Sequence, residues 1–317
     1  MQAYIIKRLL WAMPTFMGAV TLVFLIMKVL PGDVALVILG QEGAIVNPRE
    51  LEDLRQQLGI NLPLHEQYIS WLWGIIRLDF GNSLWTGDSV WHMLWVRLPY
   101  TITLMFMSVT ISIIVAMPIG VLSALKQDSW LDYGLRSFVI AGLSIPSFWF
   151  GILLVLFLVK AFNWFPPIEY APVYKHPWIA LQQLFLPALS LGYRASSSSA
   201  RMMRSSMLEV LREDYIRTAR AKGLIERTVI CIHAMKNAML PVITIFGMEL
   251  IMLFGGSVII ERIFNIPGIG RLLFDAIMDR DIMVVQGVVV LMVVFVLMLN
   301  LMVDLFYAWL DPRVRYQ

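Results

Sequence analysis

Six stretches of roughly 20 or more predominantly apolar residues run through this chain, the length a helix needs to cross a bilayer. They are Leu9–Leu30, Thr101–Leu125, Phe138–Phe162, Ala180–Met203, Leu240–Ile260 and Ile282–Leu310. The whole chain is 59% hydrophobic and 15% charged, with a mean hydropathy of +0.74. A soluble domain sits nearer half apolar and about a quarter charged. The expected fold class is therefore an all-α integral membrane protein with six transmembrane helices. The fourth stretch is the weakest, because it carries Arg194 and the run Ser196 to Ser199. The first is too long for a signal-peptide core and lacks an A-x-A cleavage pattern, so it is expected to remain as a span.

Orientation follows from the basic residues. With the N-terminus inside, the inner segments hold Lys7, Arg8, Lys126, Arg136, eight basic residues between Arg201 and Lys236, and Arg313 and Arg315. Basic residues outnumber acidic ones there, and acidic residues dominate the outer segments. Both termini are thus expected in the cytoplasm, in a multi-pass membrane protein. The expected organisation is 1–31 as tail and first span, 32–100 as an extracytoplasmic segment, and 101–317 as a five-span core containing a cytoplasmic loop, 204–239. Within the extracytoplasmic segment, Asn47-Pro48 reads as an N-cap followed by proline at the first helical position, opening a helix to about Leu58. A second helix is expected over Leu64–Leu78. Trp71, Trp73, Trp85, Trp91 and Trp95 suit a membrane interface. This segment reads equally as a cap that meets a soluble binding protein or covers a pore, and as an interfacial hairpin packed on the bundle.

The sequence lacks catalytic chemistry. No lysine follows a glycine, so a P-loop cannot be built. His65, His92, His176 and His233 are isolated, and Cys231 is the single cysteine, which excludes a zinc site of ordinary spacing and an intrachain disulfide. No G-x-S-x-G elbow occurs. No metal site, no cofactor in this chain and no enzyme activity are expected. The basic residues form no sustained face with interleaved aromatics, so nucleic acid is not an expected partner.

Polar features inside the spans are the candidates for a transport path. Pro14, Pro118, Pro146, Pro187 and Pro241 each free a backbone carbonyl that must find protein or water. Pro146 sits in the polar step Ser144-Ile145-Pro146-Ser147, and Ser144, Pro146 and Ser147 are candidate path residues. Ser196 to Ser199 also suit plain close packing of helices. Lys28 near a span end is expected to snorkel. Glu249 and Asp304 are acids within spans, where a charge costs a few kcal/mol. Either acid suits a wet pathway, a pair with Arg194, or contact with a sister subunit; Glu249 joins the path candidates and Asp304 reads as structural.

Between the fourth and fifth spans lies the most distinctive segment, Asp214 to Pro241. Ile216 and Ala219 share a helical face with Gly223. Glu213, Arg217 and Arg220 lie on another, with Glu213 and Arg217 spaced i,i+4 as a favourable pair. Gly223 is placed to stop the helix. The pattern suits docking into a groove of a cytoplasmic partner, and equally a basic loop that only fixes topology.

This segment resembles the coupling loop of binding-protein-dependent ABC importer permeases. Arg217-Thr218-Ala219, followed by Arg220-Ala221-Lys222-Gly223, stands where the wider family begins Glu-Ala-Ala, and is the version seen in its dipeptide, oligopeptide and nickel branch. Nearly the whole chain takes part. The other markers are Pro31-Gly32-Asp33, Asp79-Phe80-Gly81 with Ser83, Ser144 to Ser147, Leu186-Pro187-Ala188, Arg204 to Met207, Asn237 to Pro241, Pro267-Gly268 with Gly270, Asp304, and Asp311-Pro312-Arg313. Val34 replaces a second proline frequent in the family.

The resemblance implies the type I importer permease fold and the first of two non-identical permeases, of the dipeptide type. Its implied partners are that second permease, two ABC ATPases carrying ATP and magnesium, and an extracytoplasmic solute-binding protein. Asp214, Tyr215, Arg217, Thr218, Ala219, Arg220, Ala221, Lys222, Gly223 and Leu224 would form the ATPase-coupling element. Peptides are the implied cargo, with nickel chelates, glutathione and some sugars also carried in the branch. Two other classes stand beside this reading: a secondary transporter using Glu249 or Asp304 as a proton site, and a membrane scaffold that recruits a soluble partner through the loop.

Overall fold

The computed structural model describes residues 2–29, 35–36, 39, 47–57, 61–165 and 167–310. Pro31-Gly32-Asp33, Val34 and Asp311-Pro312-Arg313 lie outside them. The described residues are helical apart from connections and one isolated bridge between Asn82 and Ser89. The helices are α1 (Gln2–Val29), α2 (Pro48–Gln57), α3 (Leu64–Ile76), α4 (Val90–Leu125), α5 (Trp130–Ser144), α6 (Ser147–Phe162), α7 (Pro177–Val210), α8 (Asp214–Ala221) and α9 (Glu226–Thr228). A π-helical turn, Val229–Ala234, leads into α10 (Met235–Ile263), followed by α11 (Ile269–Met278) and α12 (Ile282–Leu310).

Among the described residues four helical stretches are long and apolar enough to cross a membrane: Leu10–Lys28, Val90–Leu125, Glu226–Ile263 and Ile282–Leu305. The third expected span departs from a single helix. It is the pair α5 and α6, bent by 104° at Ile145-Pro146, and it makes a fifth crossing if the pair is one broken span. The cause is local. Proline drives its preceding residue out of the helical region, and Ile145 sits at φ −90, ψ 123. Hydropathy cannot register such a break. The fourth expected span lies within α7, where Gln182, Gln183, Arg194 and the run Ser196 to Ser199 interrupt the apolar residues. Pro241 lies inside α10, which begins six residues before it.

The chain divides into two compact units. One comprises Tyr100–Ile266 with the described residues from Leu299 onward. Its core is built where α4, α7 and α10 approach closely. A Cβ on Gly192 would stand 2.6 Å from the Ser108 carbonyl oxygen, and one on Gly120 would stand 2.8 Å from that of Ala200. Only glycine permits these approaches, the small-residue packing expected between membrane helices. Buried hydroxyls and carboxylates tie the same helices together. Glu249 accepts hydrogen bonds from Ser112 (3.2 Å) and Ser199 (2.7 Å). Glu261 accepts from Thr101 (2.8 Å) and Ser257 (3.2 Å). Arg204 on α7 donates to both oxygens of Asp132 on α5, at 3.1 and 2.8 Å. In the connection after α6, the Tyr170 hydroxyl donates to the Phe264 carbonyl (2.8 Å), and its burial raises the phenol pKa well above the ordinary range.

The other unit comprises the described part of Gln2–Pro99 together with Pro267–Met298. As expected, Asn47 caps α2, its side-chain oxygen accepting from the Arg49 N–H at 3.1 Å with Pro48 in the first turn. Helices α1 and α3 meet through Phe24, whose ring centroid lies 5.2 Å from that of Tyr68 and 5.6 Å from that of Trp71. Lys28 donates to Gln67 and lies over the Phe24 ring. The Asp79-Phe80-Gly81 and Ser83 motif is a turn locked from a distance. Asp79 accepts from the Gly81 N–H (3.0 Å), while buried Asp281 accepts from the Ser83 hydroxyl (2.5 Å) and the Leu84 N–H (3.1 Å).

Candidate functional site

Helix α8 is built from both sides of its sequence pattern. Ile216 and Ala219, three residues apart, fall on one face and are buried. They enter a cluster with Met203 and Met207 of α7, Val229 and Ala234 of the π turn, and Ala238, Val242 and Phe246 of α10. Ala219 thus serves α8 from inside. The rest of the expected coupling set lies on the surface: Asp214, Tyr215, Arg217, Thr218, Arg220, Ala221, Lys222, Gly223 and Leu224 are all exposed.

The helix ends as its glycine predicts. The Leu224 N–H reaches the Ala219 carbonyl (3.4 Å) and the Gly223 N–H reaches that of Arg220 (2.9 Å). These two bonds form a Schellman cap, which places a left-handed residue just after the helix. Gly223 has φ +77, with open space where a Cβ would stand. Its requirement is therefore conformational and owes nothing to crowding.

The ion pairs differ from the expected i,i+4 spacing. Arg217 pairs with Asp214, not Glu213, at 3.2 Å. The reason lies in helix entry: Glu213 is the extended N-cap residue at ψ 146, so its side chain leaves the helical ladder. Arg220 makes a two-pronged contact to Glu226, at 3.2 and 2.7 Å, which raises the pKa of its guanidinium further. Among the described residues Lys222 has no such partner. Two contributors escaped the sequence pattern. Asn237 donates to the Tyr215 hydroxyl (2.7 Å), and Ile225 projects with 75% of its surface exposed. Asn237 already stood among the family markers. Ile225 carried a weaker signal, an apolar residue two positions beyond a helix stop.

The path candidates separate into two places. Ser144, Pro146 and Ser147 stand at the break between α5 and α6, with the Ser144 hydroxyl turned back to the Ile140 carbonyl (2.9 Å). Glu249 is a buried tie among α4, α7 and α10, bonded to Ser112 and Ser199 and not to Arg194. Among the described residues no group of three or more His, Cys, Asp or Glu side chains is arranged to hold a metal.

The chain matches two family descriptions along nearly all of its length. Residues 1–105 match the N-terminal part of binding-protein-dependent transport-system membrane components, and residues 116–316 match the inner membrane component itself. The chain belongs to the family of binding-protein-dependent transport-system inner membrane components. It is 42% identical, over the full length of both chains, to a putative peptide transport system permease protein of Brucella abortus. It is 39% identical, again end to end, to the oligopeptide transport system permease protein AppB of Bacillus subtilis. Among solved structures it resembles the MetNI methionine ABC transporter in an inward-facing form, with a TM-score of 0.54 and 18% identity. That match covers 69% of this chain and 98% of the other. At that identity the likeness speaks for the fold alone. The chain is a multi-pass permease subunit of an ATP-driven importer and is not an enzyme. The secondary-transporter and scaffold readings fall.

Proposed function

We propose that this permease, paired with a second, homologous permease, forms the path through which peptides or similar small solutes enter the cell from an extracytoplasmic binding protein. The peptide cargo rests on the names of the Brucella and Bacillus relatives. In this reading α7 completes a set of six crossings in the type I arrangement, both termini are cytoplasmic, and the segment between the first two spans lies outside. Two ABC ATPases bind ATP and magnesium, and α8 with Lys222, Gly223 and Leu224 docks into them.

The observation that carries the proposal is the two-sidedness of α8. Its outer face is exposed and charged, whereas Ile216 and Ala219 are fully engaged by α7, the π turn and α10. Packed interiors do not deform freely, so a displacement of α8 is passed to those helices. From α7 the Arg204–Asp132 pair leads to α5, and α5 ends at the break beside Ser144, Pro146 and Ser147. Those three residues are assigned to the path. Glu249 contributes to it by holding α4, α7 and α10 in register.

The test is the triple variant Gly223→Val, Arg217→Glu, Arg220→Glu. Like charges brought together at an interface cost several kcal/mol, and the altered residues are exposed, so insertion should survive. The complex is expected to reach the membrane and bind its ATPases weakly, or to let them hydrolyse ATP without cargo uptake. Wild-type ATPase co-purification, ATPase rate and vesicle uptake together would remove α8 from this role.

A further inference from the structure

A cleft of ≈ 370 Å³ opens between α4, α5 and α7, at the end of α7 that leads into α8. Its walls mix three arginines, Arg136, Arg201 and Arg204, with apolar Val139, Ile140 and Leu208. The arginines are not equivalent. Arg204 is committed to Asp132 and also donates to Ser123 (3.0 Å). Arg136 lies over the Tyr133 ring at 5.9 Å, and neither it nor Arg201 has an anionic partner among the described residues. No carboxylate lines the cleft, so it carries uncompensated positive charge.

The surroundings say what anion belongs there. Helix α5 exposes Trp130 (92% exposed), Tyr133 and Ile140 on the side that carries Arg136. Aromatic residues with a polar edge gather at headgroup depth, and apolar ones follow below it. Arg136 is therefore at the level where lipid phosphates lie, and Ile140, one turn deeper, is at the level of acyl chains. A guanidinium offers a planar fork of donors that matches a phosphate. Basic pockets between membrane helices are suited to anionic headgroups. A soluble anion would have no use for the apolar wall that runs on from the arginines.

We propose that this cleft is a binding site for one anionic phospholipid, its phosphate held by Arg136 and Arg201 and its acyl chains laid along Ile119 and Ile140 of the lining. Because Arg204 ties α5 to α7 at the back of the same cleft, the lipid would brace the two helices at the end nearest α8.

The purified importer complex, titrated with phosphatidylglycerol or with phosphatidylcholine and followed by native mass spectrometry, tests this. The wild type should hold one phosphatidylglycerol molecule more tightly than any phosphatidylcholine. Arg136→Gln with Arg201→Gln should weaken that first adduct by about thirtyfold, about fivefold for each arginine. Arg212→Gln with Lys236→Gln removes the same net charge from exposed sites elsewhere and should leave it in place. Both pairs alter exposed residues, so assembly serves as the check on folding. The proposal is overturned if the first pair leaves the adduct intact, or if the control pair weakens it equally, which would indicate diffuse attraction. Inorganic phosphate displacing the lipid at equal concentration would mark a free-anion site instead. Release of the second permease with the lipid adduct retained would mark the cleft as a protein interface.

Discussion

Arginines on the two sides of the α7–α8 junction are held in opposite ways. Before it, Arg204 grips Asp132 with both prongs, and that carboxylate is 0% exposed while the arginine is 22% exposed. Beyond it, Arg217 and Arg220 pair with Asp214 and Glu226 at comparable distances, but the members of those pairs are between 41% and 93% exposed. Distance alone would rank these contacts alike. Solvent separates them, because exposed pairs contribute between zero and about 1 kcal/mol, whereas removing one member of a buried pair costs about 3–5 kcal/mol. The first arrangement fixes helix positions. The second leaves cations on the surface that a partner can recruit at little internal cost.

The sharpest way to break this comparison is to remove the two carboxylates in turn. Asp132→Ala should destabilise the subunit by about 3 kcal/mol, at the low end of the buried range because Arg204 regains some water. Asp214→Ala should cost less than about 1 kcal/mol. Thermal unfolding of the detergent-solubilised complex, followed by tryptophan fluorescence, reads both. Equal shifts would mean that burial does not distinguish the two regions.

Gly223 probes the surface region through its backbone. Gly223→Val should cost about 1–2 kcal/mol at the cap, and uptake should fall while the unfolding temperature of the bundle stays near wild type. Gly223→Asn should keep most of the uptake, since asparagine tolerates the left-handed region. Equal uptake for both variants would show that φ +77 is not what the site requires.

Glu249 refines the interior side. Glu249→Gln retains a carbonyl acceptor and exchanges the other for donors, which a serine hydroxyl can meet by turning. The expected loss is about 1 kcal/mol, with uptake preserved. Abolished uptake in an intact complex would move Glu249 from a helix tie to a group exposed in the path. The smallest effect is expected from Arg217→Gln, less than about 0.5 kcal/mol in stability. Any change should appear in ATPase co-purification, and a large stability loss would contradict the surface assignment.

Local signals in the chain reached far. The long apolar stretches, the Asn47-Pro48 helix start, the facing of Ile216 and Ala219 and the stop at Gly223 each depend on a few adjacent residues and their helical spacing. Burial of an apolar stretch is a sum over its own side chains, and a left-handed turn is a property of one residue, so both can be read in one dimension. The bend at Ile145-Pro146 had a local cause as well, but its 104° outcome did not follow from composition, which averages over the break. The Arg217 pairing depended on where α8 begins, a single-residue matter that periodicity leaves open.

Tertiary structure alone chose the polar ties. Glu249 finds Ser112 and Ser199 across 137 and 50 residues, Asp132 finds Arg204 across 72, and Asp281 finds Ser83 across 198. Each choice depends on the rotation and depth of whole helices. Those are set by close approaches such as Gly192 on the Ser108 carbonyl, where no side chain intervenes. An acid in a span announces from sequence that it must be satisfied, because burying an unpaired polar group is expensive. Which hydroxyl or guanidinium satisfies it is decided only when the helices pack.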